Sequence, residues 1–174
     1  MNSVQIQKLL SKLPEITGWI NAMLASHANK SQPVASFGFR RLPGYYSPQL
    51  LAQAKVVVVE HVPIPPLTAL GLPEFADFEQ GDYVGITFKD TYFVKAAAAG
   101  QESLHFHELV RVVQWAHLGV KKLLTAYAEG LAVQGYRNSP LEVMAYDLQD
   151  YFDQNGPPGD VVATVRNKLN ELYP

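Results

Sequence analysis

Between Ser103 and His117 the chain reads Ser-Leu-His-Phe-His-Glu-Leu-Val-Arg-Val-Val-Gln-Trp-Ala-His, and no other stretch limits the fold so tightly. On a helical wheel with His107 at zero, Arg111 falls at about 40° and Gln114 at about −20°, a single narrow polar line. Leu109, Val112, Val113 and Ala116 take the opposite half, from about 140° to 240°. Val110 and Trp115 carry the apolar surface round the flanks, and Leu118 closes the polar line at its C-terminal end. A helix apolar almost all round belongs inside a domain. Its histidine, arginine and glutamine must each find a partner there, since an unpaired polar group is costly away from water. The pattern predicts either a functional site or an internal hydrogen-bond network along that line.

The rest of the chain can supply such an interior. At 174 residues, 48% apolar and 17% charged, it fits a single domain, 1–174, large enough to bury a core without covalent staples. The net charge of −2, with no basic stripe or acidic tail, points to neither nucleic acid nor an anionic membrane as partner. Cysteine is absent, which excludes disulfides, thiol catalysis and cysteine-ligated zinc. Any metal site must use histidine and carboxylates. No run approaches the ~18 apolar residues of a membrane helix, and the first residues lack the apolar core of a signal peptide. A cytoplasmic protein is the expectation; nothing in the composition speaks to oligomeric state.

Periodicity divides the chain into an N-terminal helix and strands over 1–100, then helices over 101–174. Residues 4–29 read as helix with a break near Pro14, and Ile16, Trp19, Ile20, Met23 and Leu24 face inward. A Pro- and Gly-punctuated loop over 31–46 carries Phe37, Phe39, Arg40, Arg41, Tyr45 and Tyr46; such a loop lays aromatic rings over a core edge or lines a pocket. Ser47-Pro48 starts a short helix, and Lys55 to Val62, with four consecutive valines, reads as a buried strand. Residues 82–88 and 91–95 form a hairpin about Lys89-Asp90. After the central helix, a helix over 120–133 stops at Gly135. Ser139-Pro140 opens the next, with Leu141, Met144, Ala145, Leu148 and Phe152 inward, and Asp160 caps a last one carrying Val162, Val165, Leu169 and Leu172. The fold class is α+β: a small, mostly antiparallel sheet with a β-hairpin preceding a helical half.

His107-Glu108-Leu109-Val110-Arg111 stands one residue away from H-E-x-x-H, in which two histidines one turn apart hold zinc and the glutamate works on a bound water. With Gln114 and the later Gly135-Tyr136-Arg137-Asn138-Ser139-Pro140-Leu141-Glu142, the pattern resembles minimal zincin-type metallopeptidase-like domains of the gluzincin kind. In those, a glutamate on a second helix completes the zinc site. The resemblance covers about residues 82–153 of the chain. It implies His107 as first metal ligand, Glu108 as general base and Glu142 as third ligand, with the hairpin lying over them. Arg111, Gln114, Tyr136 and Tyr146 are expected to line the same site.

Arg111 occupies the place of the second ligand and departs from it. A guanidinium stays protonated, cannot ligate a metal and repels a divalent cation. Zinc is the cofactor the resemblance implies, and Arg111 counts against it. The expectation is a degenerate peptidase-like domain without standard zinc hydrolysis, in which Arg111 pairs with Glu108 or Glu142 in place of the metal. A pocket between the 37–46 loop and the hairpin would hold a peptide or a small polar ligand. The alternative is an active metal-dependent hydrolase with its site rearranged onto His105, His107 and Glu142. That needs a non-helical backbone over 103–106, because in a helix His105 stands about 200° from His107. Otherwise His105 and His117 are structural histidines. Ser139-x-x-Glu142 is also a capping box, so Glu142 carries two readings. Glu108 and Glu142 as an acid/base pair would be decided by their separation.

Overall fold

Leu9, Leu13, Ile16, Ile20 and Met23 recur at spacings of three and four, and all are buried along α1 (Ser3–Ser26). The helix runs through Pro14 rather than breaking there. Proline removes one hydrogen bond and crowds the preceding turn; the buried stripe continuing in register on both sides outweighs that local cost. Trp19 and Leu24 are partly buried against the same core. The computed structural model describes residues 3–135 and 137–174.

The elements that follow are β1 (Gln32–Pro33), α2 (Pro48–Gln53), β2 (Lys55–Val59), α3 (Ala76–Glu79), β3 (Gly85–Phe88) and β4 (Thr91–Lys95). Helices α4 (Glu102–Gln134), α5 (Pro140–Asp153) and α6 (Val161–Leu172) complete the chain. The α+β class holds, with a mixed sheet of order β1-β2-β4-β3. β1 and β3 pair antiparallel with their neighbours, whereas β2 and β4 run parallel, with Val57 opposite Phe93. The strand buried throughout its middle is β4, not the valine run: Tyr92, Phe93 and Val94 are inaccessible, while Val58 on β2 is 43% exposed. β2 has only the short β1 beyond it, so its outer side meets water. The hairpin turn is Lys89-Asp90, with Lys89 left-handed at φ 59° and Phe88 opposite Thr91.

α1 lies against the sheet and α4, its Trp19 ring meeting Phe88 edge-on and His27 meeting Phe93. α4 is interrupted at Gly119, whose φ of 71° and ψ of 170° separate a limb over 102–118 from one over 120–134. Those angles belong to a region that side chains other than glycine's hardly enter. α5 and α6 pack on α4, contributing Leu141, Met144, Ala145, Leu148 and Phe152 from one and Val161, Val165 and Leu169 from the other. On α6 the stripe begins at Val161, and Leu172 is half exposed. Ser47 and Asp160 cap α2 and α6 through the amides of Leu50 and Ala163. No helix among the described residues is long and apolar enough to cross a membrane.

Candidate functional site

The polar line of α4 faces α5 and is buried there. His107, Glu108 and Arg111 are 6%, 4% and 7% exposed, and Gln114 and Glu142 are 0% and 1%. Each has a defined partner. Arg111 Nη1 donates to Gln114 Oε1 at 2.8 Å and lies 3.2 Å from Glu142 Oε1, with the guanidinium carbon 4.7 Å from the centre of the Tyr127 ring. Gln114 Nε2 donates to the Leu141 carbonyl at 2.9 Å, tying the two helices together. Tyr127, on the second limb of α4, donates to Glu142 Oε1 at 3.1 Å.

Of the two carboxylates expected to meet the guanidinium, Glu142 forms the ion pair. Burial pushes its carboxyl up, but Arg111 foremost, with His107 and Tyr127, brings it down to about 2. Glu142 therefore does not serve as the glutamate of a capping box: Oε1 takes Tyr127 and Arg111, and Oε2 is buried without a hydrogen-bond partner. Glu108 instead turns to the sheet and accepts from Thr87 Oγ1 at 2.5 Å. Burial pushes its carboxyl up, against the opposing pull of His107, Thr87 and Arg111. That close approach depends on Gly85, where a Cβ would sit 2.4 Å from Glu108 Oε1. The hairpin does lie over the site, and the Trp115 indole donates to the Thr87 carbonyl at 3.0 Å to hold β3 against α4.

His107 presents Nε2 to Glu142 Oε2 across 3.7 Å, longer than a hydrogen bond. Its Nδ1 is 3.0 Å from Gln149 Oε1, and its ring adjoins Tyr146 with centroids 4.7 Å apart. His105 goes elsewhere. α4 is regular from Glu102, so His105 points away from His107, with Nδ1 2.7 Å from the Tyr92 hydroxyl and Nε2 2.8 Å from the Ala99 carbonyl. Phe37 and Phe39 pack on its ring. The non-helical start required by a rearranged site is not present. His117 is exposed and meets Asn170 Oδ1 at 2.8 Å. Tyr136 lies outside the described residues.

The 37–46 loop takes no part in the site. Arg41 stacks 3.7 Å from the Phe152 ring centre, its guanidinium bonded to the Phe152 carbonyl, and Glu102 Oε1 accepts the amides of Arg41 and Leu42. The loop covers a core edge at the start of α4. The cavity at the polar line is lined instead by Phe78, Tyr83, Thr87, Tyr127 and the charged groups, and measures about 20 Å³, room for about one water. A larger cleft, about 610 Å³, lies on the opposite face of α4 beside Val112, Val113 and Ala116.

A catalytic zinc takes three protein ligands and an open position. Here His107 and Glu142 offer two, and a guanidinium lies 3.2 Å from one of them. The residues present do not fit that ion, and no group of three His, Cys, Asp or Glu able to hold a metal occurs among the described residues. Thr87, Tyr127 and Gln149 are the site residues that sequence reasoning missed. Glu142, Tyr146 and Gln149, at spacings of four and three, form a polar stripe on α5 that could have signalled the last. Compared with family models, curated proteins and solved structures, the chain finds no match.

Proposed function

We propose that this chain is a zincin-like domain in which an internal guanidinium stands in for the metal, and that it does not carry out zinc-dependent peptide hydrolysis. The observation that carries the proposal is the buried pairing of Arg111 with Glu142 at 3.2 Å, one turn from His107. A carboxylate in that position needs a cation; Arg111 supplies one without a ligand shell or an activated water. The same geometry disfavours Glu108 as a general base, since Thr87 engages one of its carboxyl oxygens at 2.5 Å and a guanidinium does not acidify a water for it to deprotonate. What remains is a polar binding site. Its interior admits about one water, so a peptide or small polar ligand would engage the mouth, where Arg137 lies 5.0 Å over the Tyr146 ring beside His107.

Elemental analysis of protein purified without chelator tests this. The expected result is no stoichiometric metal in the wild type and one zinc per chain in Arg111→His, which restores the second ligand. Stoichiometric zinc in the wild type, lost on Glu142→Ala, would overturn the proposal.

A further inference from the structure

The cleft of about 610 Å³ on the opposite face of α4 is within the size range of small-molecule sites. Val112 and Val113 form its nearly buried floor, with α2 as one wall and the start of α6 as the other. Ala116 on α4 and Ala163 on α6 are too short to fill the gap between their helices, and both stay exposed. One end is fixed by backbone hydrogen bonds. The amides of Gly159 and Val161 donate to the carbonyls of Gly44 and Tyr45 at 3.1 and 3.4 Å, tying the loop before α2 to the start of α6. The cleft is thus built into the fold rather than formed by mobile side chains.

Its polar groups are few and uncommitted. With Asp160 at zero on a helical wheel, Val162, Arg166 and Ala163 stand at about 200°, 240° and 300°, so Arg166 occupies the middle of the α6 wall. Gln49 and Gln53 lie one turn apart on the α2 wall. All three side chains are exposed and make no hydrogen bond or ion pair among the described residues. Asp160, the acidic group of the lining, stands at the margin and is committed through Oδ1 to the Ala163 amide at 2.9 Å. A carboxylate meets a guanidinium through two parallel bonds, and glutamine N–H groups donate to it as well. A cationic ligand would meet Arg166 as a like charge, and a plain hydrocarbon would leave it unused. We propose that this cleft binds a small apolar carboxylate. Its hydrocarbon body lies against Leu50, Ala116, Val162 and Ala163, which are all at least partly accessible, and its carboxylate lies on Arg166. The cleft shares no residue with the polar line, so the proposal stands apart from the metal-free reading.

Octanoate and octanamide, which share a hydrocarbon chain and differ in charge, are the probes. Each is titrated into the full chain by calorimetry, with amide NMR shifts to locate it. Octanoate should bind saturably with a Kd of about 1 mM or tighter, a modest efficiency for about ten heavy atoms. The shifts should centre on Ala116 and Ala163. Arg166→Gln, at an exposed position, should weaken octanoate at least about tenfold and leave octanamide unchanged. Ala116→Trp should fill the cleft and abolish octanoate binding. No saturable binding, equal affinity for the two probes, or an octanoate affinity unchanged in Arg166→Gln overturns the proposal. So do shifts centred elsewhere. Self-association that buries these residues also overturns it and gives the cleft to a second copy of the chain.

Discussion

Replacing Arg111 by methionine keeps the length of the side chain and removes its charge, and it should reverse how the protein's stability responds to pH. Glu142, 1% exposed, would keep Tyr127 and lose its cation. In the wild type its carboxyl is held at about 2 against 4.5 for the unconstrained group. A depressed folded pKa stabilises above the unfolded value and ceases to as pH falls from 4.5 toward 2, a contribution of about 3 kcal/mol at neutral pH. Without Arg111, the largest of its opponents, burial is resisted by His107 and Tyr127 alone, and the carboxyl is expected to rise above 4.5. The sign then inverts: the variant is stable while Glu142 is protonated and loses stability as pH rises. Leaving one member of a buried pair alone costs about 3–5 kcal/mol, so the gap between the two proteins should open to that size at pH 7 and narrow toward pH 4. Urea unfolding reads it directly; at a slope of about 2 kcal/mol/M the midpoint should fall by about 2 M at pH 7. Arg111→Met with Glu142→Gln should recover most of the loss. A gap under about 1 kcal/mol, or one equally wide at pH 4 and 7, would refute the claim that Arg111 compensates a buried charge.

Glu108→Gln should act in the opposite direction. Its carboxyl is raised by burial, so its stabilising contribution is present below pH 4.5 and is lost as pH rises; the amide can still accept from Thr87, and the variant should gain on the wild type toward neutral pH in the same titration. Gly85→Ala places a Cβ 2.4 Å from Glu108 Oε1 and should cost about 1–3 kcal/mol, less when Glu108 is also truncated to alanine. At Gly119→Ala nothing lies within 4 Å of the new Cβ, so a loss of about 1–3 kcal/mol there measures backbone strain alone. Both are checked by chemical unfolding.

The helical half could be read from periodicity because burial and spacing agree along it. Leu141, Met144, Ala145, Leu148 and Phe152 form one stripe in the sequence and one buried face in α5. The polar line of His107, Arg111 and Gln114 likewise became the buried network it had to be. The failures have physical causes. Pro14 marks a break only if local geometry decides, and along α1 the packed stripe decides instead. Four valines promise a buried strand, yet a strand's burial depends on how many neighbours flank it, and the parallel pairing of β2 with β4 is invisible to a pattern of period two. Ser139-x-x-Glu142 has the residues of a capping box, but a carboxylate goes to the stronger partner, and Arg111 is a full charge where the helix start offers a dipole. Thr87, Tyr127 and Gln149 carry no motif of their own; they matter because the fold sets them against groups that do.

On the proposed reading, the charge of the site explains why an arginine at the place of the second ligand leaves a foldable interior. A divalent ion beside Glu108 and Glu142 balances two ionised carboxylates. A guanidinium brings only one positive charge, and it goes to one of them. The structure distinguishes the two: Glu142 takes the guanidinium and is held at about 2, whereas Glu108, turned to a hydroxyl on β3, is pushed up. Its Thr87 contact accommodates either protonation state, because the threonine hydroxyl donates to one carboxyl oxygen and leaves the other free to carry a proton. On the proposed reading, the loss of general-base chemistry at Glu108 follows from the loss of the metal, because no ion acidifies a water beside it. Restoring one without the other should not restore hydrolysis. Arg111→His brings back both the ligand and, with zinc bound, the second positive charge, so the carboxyl of Glu108 should move down when zinc is loaded. The carboxyl stretch of Glu108 in infrared difference spectra across pH, with and without zinc, is the measurement that decides it; a titration midpoint that does not fall on loading zinc would break the argument.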